Sequence, residues 1–151
     1  FAPVDYGPAA PVDEWSGDAG CGVQYFTQQG VNRLAEKAGI PLDPGRTLAE
    51  RLKDVQALME KDDPRARAVF ESVGVCFGYA VAHYLDFYDI GHLLMLGRVT
   101  SGKGGDLVLD AARRVLREEF PGLADAVRLV VPDEASRRVG QAIAAASLPK
   151  R

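Results

Sequence analysis

The stretch Ile90-Gly91-His92-Leu93-Leu94-Met95-Leu96-Gly97-Arg98-Val99-Thr100-Ser101-Gly102-Lys103-Gly104-Gly105 decides how this chain is read. Residues 90–97 form a run of continuous apolar character, the pattern of a strand buried in a parallel sheet. Residues 100–105 follow as a glycine-rich loop. Leu107, Leu109, Ala112, Val115 and Leu116 then recur at helical spacing as far as Phe120. Pro121-Gly122 breaks that helix, residues 127–131 read as a second strand, and Asp133 caps a small-residue helix reaching about Ala146. This alternation predicts an α/β fold with a parallel strand pair joined by a right-handed crossover.

Upstream, the pattern is helical. Val23, Phe26, Val31, Leu34 and Ala38 approximate one helix over 23–38, with Gly39 as its stop. Thr47-Leu48-Ala49-Glu50 has the form of a capping box, in which each side chain satisfies the other residue's backbone N–H. The helix behind it presents Leu48, Leu52, Val55, Leu58 and Met59 on one face. Asp63-Pro64 supplies an N-cap and a first-turn proline for a third helix over 64–87. That helix is the most apolar stretch and is expected to be the core. Gly74 and Gly78 lie four apart on it, where a second backbone can approach closely.

Residues 1–22 are rich in proline and glycine, which confines them to loop or edge strand. Ala2-Pro3-Val4-Asp5 recurs as Ala10-Pro11-Val12-Asp13, a repeat better explained by chance than by paired edges. The expected organisation is one domain over 1–151: a loop or edge region at 1–22, helices at 23–87, and β-α-β-α at 88–148.

Composition bounds the function. The chain has 151 residues, 47% hydrophobic and 26% charged, with a net charge of −3. A chain this apolar can build a core and is not disordered. Mild acidity argues against nucleic acid and anionic membranes as partners, and no apolar run approaches the roughly 20 residues of a span. Two cysteines, Cys21 and Cys76, fit a reducing, cytoplasmic compartment. The start at Phe-Ala-Pro-Val, without an initiator Met, reads as a piece of a longer polypeptide.

The loop 97–105 is the strongest candidate for chemistry. It lies between a strand and a helix N-terminus, where backbone N–H groups and the helix dipole favour an anion, and at a strand C-terminal end, where ligands of open α/β sheets gather. The bland alternative is a βα connection whose glycines merely permit the turn. Gly97-x4-Gly102-Lys103 mimics a P-loop, but Gly104 stands where Mg²⁺ binding needs Ser or Thr, and three helices precede the strand. The P-loop is rejected. His83 and His92, the only histidines, read as buried or interfacial, Cys76 as a small buried hydrophobe, and Asp86 and Asp89 as caps or solvated turns.

Leu94-Met95-Leu96-Gly97 with its glycine-rich loop, the helix from Leu107, and the closing Gly140-Gln141-Ala142-Ile143-Ala144 resemble the C-terminal half of ROK proteins. These are bacterial sugar kinases and sugar-responsive transcriptional repressors of the actin-like ATPase superfamily. The resemblance implies a helix-rich C-terminal lobe of the ribonuclease H-like fold with a small, mainly parallel sheet. It implies ATP and Mg²⁺ as cofactors, a nucleotide contact at Gly97, Arg98, Thr100, Ser101 and Gly102, and a sugar or sugar derivative as partner. A homodimer is compatible with it.

Gly20-Cys21-Gly22-Val23-Gln24 resembles the family's Gly-Cys-x-Glu stretch, which makes Gln24 the substrate-facing residue. Phe1 falls where the family has a metal-binding histidine, and Trp15, Gly17 and Gly22 fall on its cysteines. Zinc is therefore not expected. Arg98 replaces a family glycine, and would either grip phosphate oxygens or block the pocket. No catalytic residue is expected in this stretch, because the resemblance puts the catalytic aspartate upstream of Phe1. The function implied is part of an ATP-dependent hexose kinase; the alternatives are a non-catalytic sugar-sensing domain of a repressor, or a dimerisation scaffold.

Overall fold

A computed structural model describes residues 2–132. Helices dominate: α1 (Val23–Phe26), α2 (Gln28–Lys37), α3 (Leu48–Glu60), α4 (Pro64–Leu85) and α5 (Gly102–Glu119). Two three-residue strands, β1 (His92–Leu94) and β2 (Arg128–Val130), pair in parallel with Leu93 opposite Leu129. The helix expected after Asp133 and the motif at 140–144 lie outside the described residues.

The local start signals of α3 and α4 are realised as the sequence predicts. The Thr47 side chain accepts from Glu50 N, while Glu50 accepts from Thr47 N at 2.9 Å. Asp63 caps α4 through Arg65 N, with Pro64 in the first turn. The Asp63 carboxyl is held down at about 2, first by the Arg65 side chain and then by its backbone N–H. Helix α4 ends at Leu85, where the Asp86 N–H closes back on His83 and Tyr84.

Helix α4 is the spine of the molecule. Val69, Phe70, Val73 and Val81 are fully or almost fully buried, and they join Val31, Leu34, Leu52, Val55, Val108 and Ala112 in one core. Among the described residues α4 alone is long and apolar enough to cross a membrane, but over half of it is buried within the protein, as befits a core helix. The close approach expected at Gly74 and Gly78 is made by α5. A Cβ on Gly74 would stand 2.5 Å from the Val108 carbonyl oxygen, and one on Gly78 would stand 2.7 Å from the Val115 Cβ.

Four expectations need correction. The helix over 23–38 is two helices, broken at Thr27, whose backbone is extended at φ −115° and ψ −171°. Thr27 caps α2 by accepting from Gln29 N, and the bend brings Gly30 so near Tyr25 that a Cβ there would stand 2.1 Å from the Tyr25 oxygen. Second, β1 is shorter than 90–97 and only its inner face is covered. Met95 is buried and Leu93 half-buried, whereas Leu94 and Leu96 are 59% and 55% exposed. Third, 100–105 is not a loop: a single 3-10 turn (Arg98–Thr100) leads into α5 at Gly102. Fourth, His83 and His92 are both exposed, His83 resting edge-on against Phe87, and Cys76 is half-buried rather than buried.

Residues 2–22 fold over α2 and α4 without regular strands. One isolated antiparallel bridge joins Val12 to Ala19, so the two Ala-Pro-Val-Asp copies do not pair with each other.

Candidate functional site

A cavity of about 610 Å³ opens between α1, the start of α2, α4 and the segment following β1. Val23 and Phe26 line it from α1, Phe77 and Tyr84 from α4, and residues 93–100 from β1 and the segment after it. The volume falls within the range of small-molecule sites, and the lining is largely apolar with a few polar groups. Its place, at the C-terminal end of β1, is where α/β sheets gather ligands.

The wall at 97–100 is built by short-range bonding. Gly97 adopts φ 111°, a conformation that only glycine takes without strain. That turn lets the Thr100 hydroxyl donate to the Gly97 carbonyl at 2.7 Å. The Arg98 carbonyl accepts from Gln56 Nε2 at 2.8 Å, which fixes the turn onto α3 and leaves the Arg98 side chain exposed at the cavity mouth. Gly97, Arg98 and Thr100 thus share the cavity, while Ser101 and Gly102 do not line it.

The N-terminus of α5 is already partnered. Lys103 N donates to Glu60 Oε1 at 3.2 Å, and Lys103 Nζ donates to the Glu60 carbonyl at 3.3 Å and to the Asp62 carboxylate at 3.0 Å. A carboxylate therefore sits where the helix dipole would attract an anion. Gly104 and Gly105 serve packing. A Cβ on Gly104 would lie 2.8 Å from the Phe70 ring, and one on Gly105 would lie 2.2 Å from the Thr100 oxygen.

Gln24 lies on α1 but turns away from the cavity. It is buried, and its Nε2 donates to Asp13 Oδ1 at 3.4 Å. Asp13 is the centre of a tight turn in which Oδ2 accepts from Trp15 N and Ser16 N at 3.2 and 3.0 Å. Chiefly the Ser16 N–H, with Gln24 and Trp15 behind it, holds the Asp13 carboxyl below its usual range. Cys21 borders this turn, its Sγ 3.6 Å from Ser16 Oγ. Cys76 lies on α4, and burial pushes its thiol up to about 11, so it stays protonated and weakly nucleophilic near neutrality.

The residues fit a nucleotide better than a metal. The apolar walls suit a planar base, and Arg98 puts a permanent cation at the mouth. Among the described residues no three His, Cys, Asp or Glu side chains converge, so a Mg²⁺ accompanying ATP would have to be held mainly by the phosphates and water. Sequence reasoning missed Thr27, which lines the cavity, and Glu60 and the pair Tyr6–Arg33, which lie outside it. Only Thr27 carries a local signal, as a capping residue ahead of Gln28 and Gln29. Comparisons with family models, with curated proteins and with solved structures found no match to this chain.

Proposed function

We propose that this chain is the nucleotide-side lobe of an actin-like, ATP-dependent carbohydrate kinase of the ROK kind, acting in the cytoplasm. The observation that carries the reading is the apolar cavity at the C-terminal end of β1, with Gly97, Arg98 and Thr100 on its wall. A base would lie against the apolar lining that includes Phe26 and Phe77, and Arg98 would pair with phosphate oxygens at the mouth through charge-assisted hydrogen bonds. ATP supplies the phosphoryl group, and the acceptor hydroxyl belongs to a sugar held by residues beyond this lobe. Because Glu60 occupies the α5 N-terminus, the phosphates are directed to Arg98 rather than to Ser101 and Gly102.

That same carboxylate favours a second reading, a sugar-sensing domain that has given up nucleotide chemistry. Calorimetric titration of the full-length protein with Mg-ATP, with and without a panel of hexoses, separates the two. Nucleotide binding together with sugar-dependent ADP release is the expected result. Sugar binding without nucleotide selects the sensor, and binding of neither overturns both.

A further inference from the structure

Helix α1 is a single turn, too short to sustain itself, yet it supplies a wall of the cavity through Val23 and Phe26. Its three consecutive carbonyls at 23, 24 and 25 are each capped by a side chain from outside the helix. The Thr27 hydroxyl donates to the Val23 oxygen at 2.5 Å, the Arg33 Nη2 donates to the Gln24 oxygen, and the Tyr6 hydroxyl donates to the Tyr25 oxygen at 2.7 Å. Thr27 is a neighbour in sequence, but Tyr6 and Arg33 are not.

Those two residues form one unit. The Arg33 guanidinium carbon lies 6.0 Å from the centre of the Tyr6 ring and 5.7 Å from that of Tyr25, and the two rings stand 5.1 Å apart. Arg33 Nε is buried without a hydrogen-bond partner, so its placement costs one donor its hydration. Such a cost is offset by ring stacking and by the bond to α1, which a lysine could not reproduce together. Tyr6 is held in turn from the N-terminal segment: Val4 N donates to Ser72 Oγ at 2.8 Å, and Lys37 Nζ donates to the Tyr6 carbonyl at 2.5 Å. Burial also keeps the Tyr6 phenol protonated as a donor far into the alkaline range.

We propose that Tyr6 and Arg33 are positioning residues that clamp α1 from outside, so that docking of the N-terminal segment sets the cavity wall made by Val23 and Phe26. The link to ligand affinity rests on the nucleotide reading of that cavity; the clamp itself does not. Within the wall, the Phe26 ring meets Phe77 edge-on with centroids 5.6 Å apart, which gives a direct measure of the wall's position.

The test uses Tyr6→Phe, which keeps the ring and removes the hydroxyl, and Arg33→Lys, which keeps the charge and removes the planar fork. Amide exchange at residues 25–27 is expected to quicken roughly three- to tenfold in each, the equivalent of about one net hydrogen bond. The Phe26–Phe77 nuclear Overhauser contact weakens, protection in the middle of α4 stays as in the parent, and the Mg-ATP Kd rises by a similar factor. Unchanged exchange and ring contact in both variants overturn the clamp. A loosened α1 with parental Mg-ATP affinity overturns its link to the site. If the parent binds no Mg-ATP, the nucleotide reading falls alone, and exchange and ring contact still decide the clamp. Should Arg33→Lys lose protection throughout α4, the milder Tyr6→Phe decides.

Discussion

At the scale of single residues, Gly74 shows which of two opposed effects governs the α4–α5 contact. Replacing a mid-helix glycine by alanine gains up to about 1 kcal/mol of helix propensity. Here the new Cβ would meet the Val108 oxygen at 2.5 Å, the Ala111 Cβ at 2.7 Å and the Val108 Cα at 2.9 Å. Two of those atoms are backbone, so relief requires α4 and α5 to separate along their length. Overpacking of this kind costs about 1–3 kcal/mol net, and Gly74→Ala is expected to lower Tm by roughly 3–10 °C. Gly91→Ala is the control, because its Cβ would meet nothing within 4 Å. Thermal unfolding of the two variants decides the matter, and a raised Tm for Gly74→Ala would mean the helices do not touch there. The glycine pair at 74 and 78 was legible in the sequence because four-residue spacing on an apolar helix has one simple geometric meaning. Gly104 and Gly105 were not, since a glycine run reads as a loop unless the Phe70 ring above it is known.

At the scale of elements, what could be read was what is local. The Thr47–Glu50 box joins residues three apart, and no distant atom is needed to see it. Thr47→Ala should cost about 1 kcal/mol of stability, with a lower urea midpoint and an unchanged m-value. Thr47→Ser should restore most of it, because the hydroxyl supplies the accepting oxygen in both residues. A midpoint unmoved by Thr47→Ala would show that α3 is held by packing of Leu52 and Val55 alone. The break at Thr27 depends on contacts of another order. Periodicity from Val23 to Ala38 nearly matches one helix, and only the approach of Gly30 to Tyr25 and the capping of α1 by Tyr6 and Arg33 reveal two. Those partners lie up to 19 residues away in sequence, beyond any window that reads spacing.

For the molecule as a whole, the strand pair poses the sharpest question, because a parallel sheet is ordinarily covered on both faces and two strands alone are marginal. The apolar run at 90–97 led to an expectation of full burial, but hydrophobicity does not say whether a second layer exists. In the folded chain the alternation of β1 sends Leu93 and Met95 toward the α4–α5 core and leaves Leu94 and Leu96 more exposed, along the lining of the cavity. The two sides should therefore differ in energy although their residues are equally apolar. Met95 is 9% exposed within the core, and Met95→Ala is expected to cost about 2–5 kcal/mol. Leu94 is already 59% exposed in the folded chain, so Leu94→Glu gives up little burial and its cost should stay within about 0.5 kcal/mol. Denaturant midpoints for the two variants, at several protein concentrations, measure this difference. A Leu94→Glu penalty as large as that of Met95→Ala would mean that the outer face is covered in solution. A penalty that grows with protein concentration would assign the cover to a second copy, and one independent of concentration would assign it to residues of the same chain.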